Sequence, residues 1–209
     1  MSRVNVYIDG LNLYHDVVRR MDGRGKWLDL EAFGDGLAGA SVSRVHYFTS
    51  RVKTIRGNAG PANRQQTYLR VVENMARVKV TYGVMTIDKV RRYLAKPLPW
   101  ERKFPRVLNP SEKGSDVALA VQLLTDAHGG GFDRAIVVTN DSDLAPAIRG
   151  VAELGTTILI VYPAASPAGA FVRSGLELVQ LPIEDVLLAQ LPDPAPSRSG
   201  TIRKPSEWP

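Results

Sequence analysis

Cysteine is absent from the 209 residues, and histidine occurs only three times, at His15, His46 and His128. The first absence excludes disulfides and every thiolate metal site, and the scattered histidines lack the paired spacing that zinc binding favours. Any metal bound here must be held by oxygen. Also lacking is an apolar run near the roughly 18 residues needed to cross a bilayer. The opening stretch MSRVNVYIDG enters a strand-like pattern at once, without the basic, apolar, then small order of a signal peptide. These absences point to a soluble, cytoplasmic protein with no membrane partner, and they leave its oligomeric state open.

What is present suits one α/β domain: 44% of residues are hydrophobic, enough for a sizeable core. The net charge is +6, and the excess is concentrated in KVRRYLAKPLPWERKFPRVLNPSEKG, Lys89 to Gly114, where aromatics alternate with Lys and Arg. That combination suits a polyanion, although a basic run alone also reads as a solvated surface loop. The segment holds four prolines and no clear period, so a long functional loop or excursion is expected at about 84–112.

Five segments rich in Val, Ile and Tyr read as strands: Arg3–Ile8, Val42–Phe48, Arg77–Gly83, Asp133–Thr139 and Thr156–Tyr162. Helical patterns separate them at Leu11–Arg20, Leu30–Leu37, Ala62–Ala76, Ser115–Ala127 and Leu144–Glu153. Regular alternation, with the first, fourth and fifth strands nearly continuous in apolar residues, predicts a mainly parallel sheet covered by helices on both faces. A short helix, a strand over Leu176–Gln180 and a helix from Ile183 should close a domain spanning 1–191. Residues 192–209, rich in Pro and Ser, read as a flexible tail.

Ligands of such sheets bind outside the carboxyl ends of the strands. Three chain segments should deliver carboxylates there: Asp9 closes the first strand, Asp116 opens a helix in EKGSDVALAV, and Asp141 and Asp143 follow the fourth strand in VVTNDSDL. Each of the last three also reads as a helix-terminus residue, with Ser115 or Ser111 as the cap beside Asp116. Asp9 has no capping partner nearer than LNLY. Convergent acids repel unless a cation neutralises them, and carboxylate oxygens suit Mg²⁺ or Mn²⁺. One metal site accounts for all three segments, where capping needs three coincidences. Asn12, one turn after Asp9, offers a neutral ligand or a hydrogen bond, and Lys113 reads equally as a solvated lysine or a phosphate contact.

VNVYIDGLNLY, EKGSDVALAVQLL and AIVVTNDSDLAPAIRGVAELGTTILIVYP, with RQQTYLRVV between them, resemble the NYN domain family, in particular its LabA-like branch of the PIN-like nucleases. The resemblance runs in order from Arg3 to Leu191. It implies a PIN-like three-layer α/β/α sandwich and a metal-dependent ribonuclease centre. Its acidic positions fall on Asp9, Asp116, Asp141 and Asp143, with Asn12 matching the polar position and Ser142 supporting. Some relatives carry Cys before the KGxD-like motif, and its absence here implies no zinc.

The expected chemistry is phosphodiester cleavage of RNA, with DNA not excluded, by one or two Mg²⁺ or Mn²⁺ ions on Asp9, Asp116 and Asp141. Asp143 would complete the coordination through water or act as a base. Lys113, Arg51, Arg102 and Lys103 would hold the nucleic-acid backbone, with Trp100 and Phe104 either stacking on bases or anchoring the loop. The alternative is a non-catalytic nucleic-acid-binding or regulatory module. A phosphohydrolase of the haloacid-dehalogenase type ranks below both, because its second Asp, two residues after the first, is replaced by Leu11.

Overall fold

A computed structural model describes every residue except Met1, Pro97, Pro99, Glu101 and Ser199, and every side chain within those limits except those of Val18, Arg19 and Arg20. The chain runs β1 (Val4–Asp9), α1 (Gly10–Arg20), α2 (Leu30–Ala38), β2 (Arg44–Ser50), α3 (Gly60–Val72), β3 (Val78–Arg91) and β4 (Arg106–Lys113). It continues through α4 (Ser115–His128), β5 (Arg134–Val138), a 3-10 turn (Ser142–Leu144), α5 (Ala145–Glu153), β6 (Thr157–Tyr162), α6 (Gly169–Val172), β7 (Glu177–Gln180) and α7 (Ile183–Leu188). A small hairpin, β8 (Ala195–Ser197) with β9 (Gly200–Ile202), follows.

Seven strands form one sheet in the order β4-β3-β2-β1-β5-β6-β7, parallel throughout except for the antiparallel pair β3 and β4. Strand alternation sends successive side chains to opposite faces. Val6, Ile8, Ile136 and Val138 point to one face, where α1, α2, α3 and α7 bury Leu13, Phe33, Leu69 and Val186 against them. Tyr7, Val137 and Ile160 point to the other, which α4, α5 and α6 cover with Leu119, Leu123, Ile148 and Phe171. The central strands are buried on both faces, which explains their continuous apolar sequence. The result is the expected three-layer α/β/α sandwich.

The chain moves outward from β1 through β2 to β3, then returns by α4 to β5 on the other side of β1. Adjacent β1 and β5 therefore flank a topological switch point, where the connections diverge and leave a crevice at the carboxyl edge.

Two expectations are corrected. The region at about 84–112 is largely an antiparallel hairpin: β3 runs on past the sheet body, and Val84 to Arg91 pair with Lys113 to Arg106. Its prolines obscured this, but Pro110 lies on β4, the edge strand, where a missing N–H can face away from the ladder. The hairpin is not covered by helices on both faces, so it needs no apolar alternation, and its burial is partial along its length. Beyond the strands, Leu94 N–H donates to the Lys103 carbonyl at 3.0 Å, and the rings of Tyr93 and Phe104 meet at 4.6 Å.

The segment 192–209, read as a flexible tail, packs on the domain instead. Trp208 lies edge-on to Trp27 and Tyr68, each at 6.2 Å. Trp27 Nε1 donates to the Pro192 carbonyl at 3.1 Å, and Arg64 pairs with Glu207 at 3.0 Å. Composition pointed to disorder because few residues there are apolar, yet Ala195, Ile202 and Trp208 all join the core cluster.

Candidate active site

Asp9 is the last residue of β1 and sits opposite Phe48 of β2. It is only 9% exposed. Because α1 starts at Gly10, Asp9 is its N-cap: Oδ1 accepts the Asn12 backbone N–H at 3.0 Å. The capping partner of Asp9 thus lies within LNLY, no nearer than the sequence allowed. Gly10 is required by close approach, since a Cβ there would lie 2.6 Å from the Tyr47 ring and 2.7 Å from the Phe48 carbonyl oxygen.

The second oxygen of Asp9 faces β5. Thr139, fully buried just past that strand, donates its hydroxyl to Asp9 Oδ2 at 3.3 Å. The same hydroxyl accepts the Asp141 backbone N–H at 3.0 Å. Asp141 in turn caps the 3-10 turn, its Oδ1 accepting the Asp143 N–H at 3.0 Å. Capping therefore engages one carboxylate oxygen of each residue, Oδ1 in both.

Burial is the main force on Asp9 and pushes its carboxyl up to about 6. Hydrogen bonds from Asn12 and Thr139 oppose this, while the charge of Asp141 adds to it. Tyr47, whose phenol is pushed up to about 12 chiefly by burial, feels the Asp9 charge as well. The carboxyl edge of β1 is thus an electrostatically unfavourable place for an anion, and a cation there would relieve it.

Asn12 does more than follow Asp9: its Oδ1 accepts the Asn140 backbone N–H at 2.9 Å, tying α1 to the loop after β5. Asn140 extends the network, donating to the Ser166 carbonyl at 3.1 Å and accepting the Ala168 N–H at 2.7 Å. Ser142 and Asp143 lie exposed on the 3-10 turn.

Asp116 occupies the first turn of α4, which begins at the same edge, because Ser50 of β2 aligns with Gly83 of β3 and Val84 then pairs with Lys113. Neither Ser111 nor Ser115 caps this helix. Gly114, at φ 92°, is the N-cap, and Glu112 Oε1 accepts the Ser115 N–H at 3.0 Å. The structure brings Asp9 and Asp141 together through Thr139. Among the described residues, however, no group of three or more Asp, Glu or His side chains is gathered closely enough to hold a metal ion. The Asp9–Asp141 pair suits a hard cation in donor type and charge, and Asp116 stands at the same edge without joining a ligating group.

Of the expected backbone contacts, Lys113, Arg102 and Lys103 are exposed. Arg51 is engaged within the domain, pairing with Glu73 at 3.0 Å while its guanidinium lies 4.6 Å over the Tyr82 ring. Trp100 and Tyr93 are each 80% exposed. Sequence reasoning missed Thr139, Asn140, Tyr47 and Glu112. Thr139 alone had a visible signal, as a hydroxyl closing an otherwise apolar strand.

The NYN domain family model matches residues 3–179. The chain belongs to the NYN domain family. This NYN domain is 27% identical over 238 aligned positions to 6-hydroxy-3-succinoylpyridine 3-monooxygenase HspA of Pseudomonas putida, covering 99% of this chain and 75% of that protein. Its fold is similar to the crystal structure of a protein of unknown function from Vibrio parahaemolyticus, with a TM-score of 0.55 and 11% identity, covering 88% of this chain and 94% of that one. The NYN domain thus has a three-layer α/β/α sandwich with a mainly parallel central sheet, and among the described residues no helix is long and apolar enough to cross a membrane.

Proposed function

We propose that this NYN domain is a cytoplasmic, metal-dependent ribonuclease of the LabA-like branch. The observation that carries the reading is the buried Asp9 carboxylate at the switch point of a nuclease-like fold, held by the Thr139 hydroxyl that also accepts the Asp141 backbone N–H, with the charge of Asp141 felt at Asp9. Asp9 and Asp141 would be the direct ligands of Mg²⁺ or Mn²⁺, with Asp116 acting on it from the same edge through water; when bound, the ion would acidify a water and offset charge on the phosphate.

The remaining roles belong to the chain itself. Thr139 and Asn12 fix the orientation of Asp9 and of the loop carrying Asp141. Exposed Asp143 would accept a proton from solvent-borne nucleophiles, with Ser142 beside it. Lys113 stands at the base of the hairpin, nearest the carboxylates in sequence, and would bind phosphate. Arg102 and Lys103 near the hairpin tip would hold more distant phosphates, with exposed Trp100 as a stacking surface for unpaired bases. Arg51 contributes positive potential rather than a free contact, because it is already paired with Glu73.

The test is cleavage of single-stranded and structured RNA and DNA by the full chain with and without Mn²⁺, alongside Asp9→Asn and Asp116→Asn. Loss of cleavage in both variants, with folding retained, supports the assignment. Equal degradation by wild type and variants sinks it.

A second reading, nucleic-acid binding without turnover, is favoured by the lack of a three-carboxylate group among the described residues. RNA retention that is indifferent to chelator, without cleavage, would select it. The monooxygenase activity named for the P. putida relative is not carried to this chain at 27% identity.

A further inference from the structure

A cavity of about 470 Å³ lies on the α1 and α3 side of the sheet and reaches Gly10, beside the candidate carboxylates. That volume is typical of small-molecule sites, roughly 300–1,000 Å³. Its walls are apolar and come from separate elements: Leu13 and Val17 of α1, Leu30 of α2, Leu69 of α3 and Val186 of α7, all buried. Tyr68 and Trp208 add aromatic surface, and the Tyr68 hydroxyl is already satisfied by the Leu28 carbonyl at 2.9 Å.

Charge at the cavity is predominantly positive. Lys26 and Arg64 line it, and the acid that does so, Glu112, is committed to the Ser115 N–H. The chain itself shows what these cations accept. The Lys26 ammonium lies 5.9 Å over the Trp208 ring, and Arg64 binds the exposed carboxylate of Glu207 at 3.0 Å. Trp208 thus lines the cavity, and its neighbour in sequence, Glu207, is held by a cation of the same lining. The Arg64–Glu207 pair is weakly held, because a solvent-exposed ion pair contributes little.

The geometry points to a binding site for a small aromatic carboxylate, with one or two fused rings against Tyr68 and Trp208 and its anionic arm on Arg64 in place of Glu207. A neutral hydrocarbon would leave the cations unused. A neutral nucleobase would bring no negative charge for Lys26 and Arg64 to meet. The site is independent of the nuclease reading, since none of its named contacts is a proposed metal ligand.

Indole-3-acetate and its neutral counterpart indole-3-acetamide serve as probes, titrated calorimetrically into the full chain. The acid is expected to bind with a Kd of about 1 mM or tighter, and the amide at least about tenfold more weakly. Arg64→Gln should abolish that difference. Val52→Trp, which fills the cavity from a position 37% exposed, should weaken both probes by about tenfold or more. Circular dichroism melting confirms that each variant folds. No binding of the acid by wild type at about 10 mM, equal affinity for acid and amide, or indifference of a folded Val52→Trp to both would each overturn the proposal. The acid-to-amide comparison on wild type needs no variant, so a misfolded substitution leaves the test intact.

Discussion

Asp9 and Thr139 meet across the β1–β5 boundary, the threonine hydroxyl donating to Asp9 Oδ2 at 3.3 Å from a fully buried position. Their chain separation is 130 residues, so this contact exists only because the two strands are sheet neighbours. It joins a buried acid, whose ionisation is disfavoured, to the loop that presents a second acid.

Asp9→Asn should stabilise the domain at alkaline pH. The folded carboxyl titrates at about 6, above its ordinary 3.8. Its favourable contribution is therefore complete below pH 3.8 and is lost as pH rises through 6. At pH 8 the ionised acid costs the fold about 1–3 kcal/mol, which asparagine removes while still accepting the Asn12 N–H. Thermal melts should show a gain of about 2–8 °C at pH 8 and little change at pH 4. If the proposed cation binds, Mg²⁺ should raise the melting point of wild type but not of Asp9→Asn.

Thr139→Val keeps shape and removes the shared oxygen. Asp9 loses a donor and the Asp141 N–H loses its acceptor, a loss of about 1–3 kcal/mol. The donor favours the charged form of Asp9, so the destabilisation should be larger at pH 8 than at pH 4. Chemical denaturation at the two pH values measures the difference, and an equal loss at both would contradict the coupling.

His46 should make the domain acid-sensitive. It stacks on Tyr7 at 4.9 Å, with Nε2 3.5 Å from Asp126, and burial lowers its pKa to about 4 from the ordinary 6.5. The unfolded chain takes up a proton first, so this contribution is present above pH 6.5 and is lost as pH falls through 4. His46→Phe retains the stack without titrating. Its melting point, taken relative to wild type, should rise by several degrees between pH 7 and pH 4, about 3 kcal/mol at most. The opposite trend of Asp9 acts equally in both proteins and cancels.

Trp208→Ala should loosen the 192–209 segment. The indole contacts Trp27 and Tyr68 but is partly exposed, so the loss should fall below the 3–5 kcal/mol of a core aromatic, at about 1–3 kcal/mol. Limited proteolysis should cleave the variant within 192–207 well before wild type, whose Arg64–Glu207 contact lies in the same region.

The strand and helix alternation, the two-faced parallel sheet and the delivery of Asp9, Asp116 and Asp141 to one edge were legible in the sequence, because buried strands and amphipathic helices leave periodic apolar patterns. The edge hairpin and the packing of 192–209 were not, because neither relies on a periodic buried face: β4 is held by backbone pairing, and Trp208 is held by rings distant in sequence. Capping and site formation were posed as rivals by the sequence. In the tertiary structure capping uses Oδ1 of each carboxylate, and the Thr139 hydroxyl bonds Asp9 Oδ2 and the Asp141 N–H, so capping does not preclude the proposed site. It also left Asp116 outside a ligating group and closed an apolar cavity from α1, α2, α3 and α7. Local pattern determines which residues reach an edge, and only the packing of distant segments decides which of them meet.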